Sequence, residues 1–145
     1  MERWLVDTSP FFTDLAVLLI RTFVGICFVV HALGKLGLVG PGGSLAGFAE
    51  WLGGLGVPAP RISAYGAFLS ELMGGAFLAA GLFARPASFA LFGTMLVAGL
   101  VGHRGGGYLI TNNPPGAEYT INLAAVCLAL FLTGPGAYSL DAVLF

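Results

Sequence analysis

Four stretches of this chain, at about residues 15–33, 62–83, 87–102 and 117–132, are apolar over almost their whole length. As helices, runs near 20 residues span the ~30 Å hydrocarbon layer of a bilayer. Only 9% of the residues are charged and mean hydropathy is +0.92, whereas an ordinary soluble domain carries about 25% charged residues. Lipid offers no partner to backbone N–H and C=O groups, so each span must be helical. The expected fold is all-α, a transmembrane four-helix bundle forming one membrane domain over residues 1–145. A net charge of −1 gives no basic footprint for nucleic acid.

Residues 1–14 are mixed and acidic, unlike the basic start of a signal peptide, and Arg21 would interrupt a cleavable apolar core. The N-terminus is therefore expected to be retained. Trp4, Phe11 and Phe12 suit a segment lying at the interface, with Thr13 or Asp14 capping the first span. Glycine and proline punctuate residues 34–60. Within them Leu45, Phe48, Leu52 and Leu55 recur at helical spacing beside Trp51, which predicts a short interfacial helix between spans one and two. Such a helix either packs on the surface or closes over a pocket. Span two is expected to end at Arg85-Pro86. Cys27 and Cys127 lie in apolar segments without metal-ligand spacing and read as small buried residues. Four crossings put both termini on one side. Arg3 and Arg85 face Lys35, Arg61 and Arg104 across the membrane, too even a balance to set orientation.

Charge inside the spans is the informative signal. Glu71 is a carboxylate well within span two, and it shares a helix face with Gly74, Gly75, Leu78, Leu82 and Arg85. An intramembrane carboxylate is costly without a partner and marks a functional site by default. The paired glycines let a neighbouring helix or ligand come close to the backbone. With span ends at Gly34 and Arg61, Arg21 lies ~20 Å and Glu71 ~15 Å below one membrane surface, which makes Arg21 the expected partner of Glu71. Arg21, Gly25, Phe28, Ala32 and Lys35 share a face of span one, with His31 at its edge. Phe92, Met95, Gly99 and His103 align on span three, and Glu118, Asn122, Ala125 and Ala129 on span four. These faces should turn inward around a polar core open toward the two long loops, where His31, Lys35, His103 and Glu118 gather. Arg85, at the far end, reads as an interface anchor. The structural alternative is an Arg21–Glu71 pair that only fixes helix register. His31, His103 and Glu118 form no metal-ligand pattern, and no nucleotide or c-type haem motif is present, so neither metal nor haem is expected.

The residues gathered in this way resemble the DoxX family of small four-helix prokaryotic membrane proteins. The likeness is carried by Arg21 to Phe28 with His31-Ala-Leu-Gly-Lys35, by Ser70-Glu-Leu-Met-Gly-Gly and by Gly81 to Pro86. His103 to Tyr108, Thr111-Asn-Asn, Glu118-Tyr119 and Gly134 to Asp141 complete it. The resemblance implies a multi-pass protein of the prokaryotic cell (inner) membrane tied to redox chemistry, since relatives include subunits of a thiosulfate:quinone oxidoreductase.

Residues and resemblance together point to a quinone-binding subunit of a membrane oxidoreductase system, with ubiquinone or menaquinone as cofactor. Glu71, His103 and Glu118 are the candidate proton carriers. Arg21, Phe28, His31, Lys35, Gly74, Gly75, Met95 and Tyr119 are the candidates for binding the ring and its carbonyls. Electrons would come from a partner protein or a diffusible reductant. The alternative is a non-catalytic accessory, scaffold or assembly subunit of a larger membrane complex. A transporter is a weaker fit, because four spans without an inverted repeat would need an oligomer.

Overall fold

The computed structural model describes residues 9–145. They form α1 (Pro10–Lys35), α2 (Leu45–Gly54), α3 (Pro60–Ala80), α4 (Ala84–Gly102), α5 (Glu118–Thr133) and α6 (Leu140–Leu144), with no strand among the described residues. The short helix expected between spans one and two is present as α2, started by Ser44, whose hydroxyl accepts from the Gly47 N–H at 3.0 Å. α1, α3 and α4 are long and apolar enough to cross a membrane, while α5 is apolar but has 16 residues.

Three boundaries differ from expectation. The segment around Trp4 falls in part outside the described residues, but Phe11, Phe12 and Asp14 belong to α1 itself. That helix starts at Pro10, a position where proline's missing N–H is no loss. Neither Thr13 nor Asp14 caps it; Asp14 instead accepts a bond from the Ala137 N–H at 2.9 Å. Span two ends before Arg85-Pro86. Gly81 takes a left-handed conformation (φ 68°), with Gly81 N–H bonded to Leu78 O and Leu82 N–H to Phe77 O, which closes α3 at Ala80, three residues before Phe83. Arg85 and Pro86 then fall in the first turn of α4, where proline is tolerated.

The main packing is α1 against α3 and α4 against α5, with α3 on α4 joining the two pairs. α1 and α3 meet backbone to backbone. A Cβ added at Gly25 would lie 2.5 Å from Gly75 O, and one added at Gly75 would lie 2.7 Å from Gly25 O. Small residues are what allow such an approach in a membrane. This contact also sets register. Gly25 sits against Gly75 and Ala79, whereas span ends at Gly34 and Arg61 would have put it near residue 70. The slip is about 10 Å along the helix axis.

α4 and α5 pack through small groups as well, with Gly99 against the Thr120 hydroxyl. The inward face of α5 is Thr120, Ala124, Cys127 and Leu130. The face expected to turn in is on the outside instead, with Asn122, Ala125 and Ala129 exposed and Glu118 half-buried. Small size outweighed polarity in choosing the contact.

Candidate functional site

The two charges deepest in the sequence lie at opposite ends of the α1–α3 pair. Arg21 and Glu71 do not meet. The α1–α3 register carries Arg21 to the C-terminal end of α3, where it is 2% exposed and donates to Leu78 O (3.3 Å), Ala79 O (2.5 Å) and Tyr138 O. Carbonyls at a helix C-terminus lack intrahelical partners and carry the negative end of the helix dipole, so a buried guanidinium is well placed there. Gly81 makes the room: a Cβ would come within 2.8 Å of the Arg21 guanidinium carbon. Asp141 completes this end by accepting from the Phe83 and Ala84 N–H groups at 2.7 and 2.9 Å, capping α4. Arg85 stays exposed and packs over Gly134.

Glu71, 5% exposed, pairs instead with Lys35. The same register slip that withdraws Arg21 brings Lys35 to the level of α3 at which its ammonium reaches the carboxylate. The Lys35 Nζ also lies 5.1 Å from the centre of the Phe48 ring. Among the described residues the second carboxylate oxygen of Glu71 has no protein partner, and it is not sealed from open space.

Above this pair opens a cleft of about 620 Å³ to which all five longer helices contribute. That volume is in the ~300–1,000 Å³ range of small-molecule sites. Its polar lining includes Lys35, Glu71, His31, His103, Tyr119 and Thr120. Phe28, Trp51, Leu52, Met95, Ala98 and Val101 give the remaining walls an apolar character. The Trp51 ring rests on Gly102, whose added Cβ would meet it at 2.9 Å, so α2 roofs the cleft.

Tyr119 joins α1 to α5. Its hydroxyl is 3.2 Å from Cys27 Sγ and its ring centre 5.1 Å from that of His31. His103 Nδ1 lies 3.1 Å from Pro115 O, an acceptor only, so the proton of that bond is on Nδ1 and Nε2 of the neutral ring is the acceptor.

Of the residues singled out in the sequence, Phe28, His31, Lys35, Glu71, Met95, His103 and Tyr119 share the cleft. Four do not. Arg21 is the clamp at the far end, Gly74 packs on Leu91 at α4, and Gly75 belongs to the α1–α3 seam. The Glu118 carboxylate accepts from the Ile110 N–H at 3.1 Å and holds the loop before α5. Among the described residues no three His, Cys, Asp or Glu side chains cluster to hold a metal ion.

Thr94 and Thr120 escaped sequence reasoning, while Phe48 and Trp51 were named only as parts of the interfacial helix and Cys27 only as a small buried residue. Cys27 was legible: it stands one turn before His31 on α1. Thr94 was not, because its bond to Ser70 (2.7 Å) depends on the α3–α4 register.

A family model described as DoxX matches residues 16–104, well over half of the chain, from α1 through the end of α4. The chain belongs to the DoxX family. With its three apolar helices of membrane-spanning length it is an integral, multi-pass membrane protein. The matched region contains Lys35, Glu71 and His103 but stops short of Tyr119. Comparison with curated proteins and with solved structures returns no match.

Proposed function

We propose that this DoxX protein binds a quinone, with the head group at the Lys35–Glu71 end of the cleft and the ring between the apolar walls. The observation that carries the reading is a buried ion pair with unused hydrogen-bonding capacity at the floor of an apolar cleft. A pair serving only to fix register would be expected to be packed over, not left facing 620 Å³ of open space.

Quinone reduction takes up two electrons and two protons. Lys35 and Tyr119 supply donors toward the carbonyls, Phe28 and Met95 pack on the ring, and Glu71 with His103 and His31 carries protons to the site. Arg21 and Glu118, occupied elsewhere, have no part in it. Electrons come from a partner protein or a diffusible reductant, which makes the chain a subunit of a redox system in a prokaryotic inner membrane. In this reading residues 1–145 form one domain. α5, about 24 Å long at 1.5 Å per residue, completes a four-helix bundle with α1, α3 and α4, and α2 lies at the membrane face.

The test is a binding titration with a decyl-tailed benzoquinone on protein in mild detergent. Lys35→Met and Glu71→Gln should each weaken binding tenfold or more while remaining folded. Wild-type affinity in both would sink the proposal. A stoichiometric membrane partner that co-purifies without extractable quinone would favour the scaffold role instead.

A further inference from the structure

The cleft reaches the side where α3 faces α4, and residues of both helices line it there. The two helices touch at Gly74–Leu91 and are tied by the Ser70–Thr94 bond. Gly66, a turn from Ser70, and Gly93, beside Thr94, both line the cleft, and a Cβ added to either meets no atom within 4 Å. That sets them apart from Gly25, Gly74, Gly75, Gly99 and Gly102, each of which has a neighbour within about 3 Å of the added carbon. Those glycines permit packing. Gly66 and Gly93 leave space.

The surroundings of these two glycines are apolar and exposed. On α3, Gly66 shares its face with Ile62 (76% exposed) and Leu69. On α4, Gly93 shares its face with Val97 (59% exposed), itself a cleft residue, and Leu100 (71% exposed). In a protein that spans the bilayer, such a face meets lipid chains. The lining of the cleft therefore runs from the charged pair to a gap beside two glycines, next to an exposed apolar face.

We infer that the gap framed by Gly66 and Gly93 is a lateral portal through which an amphiphile with a polar head and an apolar chain moves between the bilayer and the cleft, its chain remaining in the portal when the head is bound. Gly66 and Gly93 are then the residues that set which chains pass. The inference rests on the quinone reading only for the identity of the head; the portal would serve any chain-bearing amphiphile.

The test reads access without requiring quinone to bind. A single thiol is placed in the cleft by Met95→Cys, or in a second variant by Ala98→Cys, with Cys27→Ser and Cys127→Ala removing the native thiols. In liposomes, its modification by a bilayer-dissolved alkyl maleimide is compared with that by a charged, water-soluble methanethiosulfonate. Gly66→Leu and Gly93→Leu fill open space, so the fold is retained, as the melting temperature will verify. Each should slow the bilayer reagent tenfold or more relative to the charged one. An unchanged ratio of the two rates at both thiol positions overturns the portal.

A second arm separates the two proposals. In the portal variants a decyl-tailed benzoquinone should lose at least tenfold more affinity than its tail-less head group. If the rate ratio falls but wild type binds neither quinone, the portal stands and the quinone reading fails.

Discussion

The two ends of the α1–α3 pair each bury a charged side chain, and they handle it in opposite ways. Arg21 donates to three protein carbonyls, leaving only its Nε without a partner, and is enclosed by Gly81 and the chain at Tyr138. Glu71 has one partner, Lys35, and faces open space. A buried charge can thus serve as a fastening or as a site, and burial does not tell the two apart. The number of protein groups that already satisfy it does. The glycine seam of Gly25 and Gly75 holds the two ends at a fixed distance.

Breaking that seam should damage both ends at once. Gly25→Val would push its side chain into the α3 backbone, where no flexible neighbour can yield, and should cost about 3 kcal/mol or more in thermal unfolding. Arg21→Met should act on stability alone. It removes three hydrogen bonds, although Leu78 O keeps the Gly81 N–H, and should cost about 3 kcal/mol, at roughly 1 kcal/mol per bond, while protein that remains folded keeps an intact cleft.

Glu71→Gln should do the reverse. Its effect on the unfolding midpoint should stay within about 1 kcal/mol, because Lys35 can swing toward the loop-side crevice it also lines. Ligand affinity should fall tenfold or more, equivalent to about 1.4 kcal/mol. The smallest effect belongs to Asp141→Asn. Weakening the cap on α4 should cost about 1 kcal/mol in thermal unfolding without touching the cleft, 1 kcal/mol being typical for loss of an N-cap.

Much of this was legible in the sequence. The apolar stretches lie within or close to α1, α3, α4 and α5, and helical phase correctly grouped Arg21, Gly25, Phe28 and Ala32 on the buried face of α1. The gathering of His31, Lys35 and His103 followed from topology, but Glu118, grouped with them, holds the loop before α5 instead. The partner of Glu71 did not follow from topology, because it depends on how far α1 slides along α3. That was settled by the backbone contact of Gly25 with Gly75, not by where the loops begin. The inward face of α5 was misjudged because polarity was weighted over size. Asn122 points outward and finds the Tyr108 hydroxyl at 3.3 Å, while Thr120, Ala124 and Cys127 pack inside. The α2 roof was visible as a helix, but nothing local could show that Trp51 lies on Gly102, some 50 residues away in the chain.

The contrast between the two ends is tested most directly by measuring affinity and stability on the same samples. Quinone binding, read by quenching of Trp51 fluorescence in a Trp4→Phe background, is compared with the melting temperature for wild type, Glu71→Gln and Arg21→Lys. Glu71→Gln should keep its melting temperature and lose at least tenfold in affinity, and Arg21→Lys should lose melting temperature and keep its affinity. Loss of affinity in Arg21→Lys with none in Glu71→Gln would contradict the assignment of one end as fastening and the other as site.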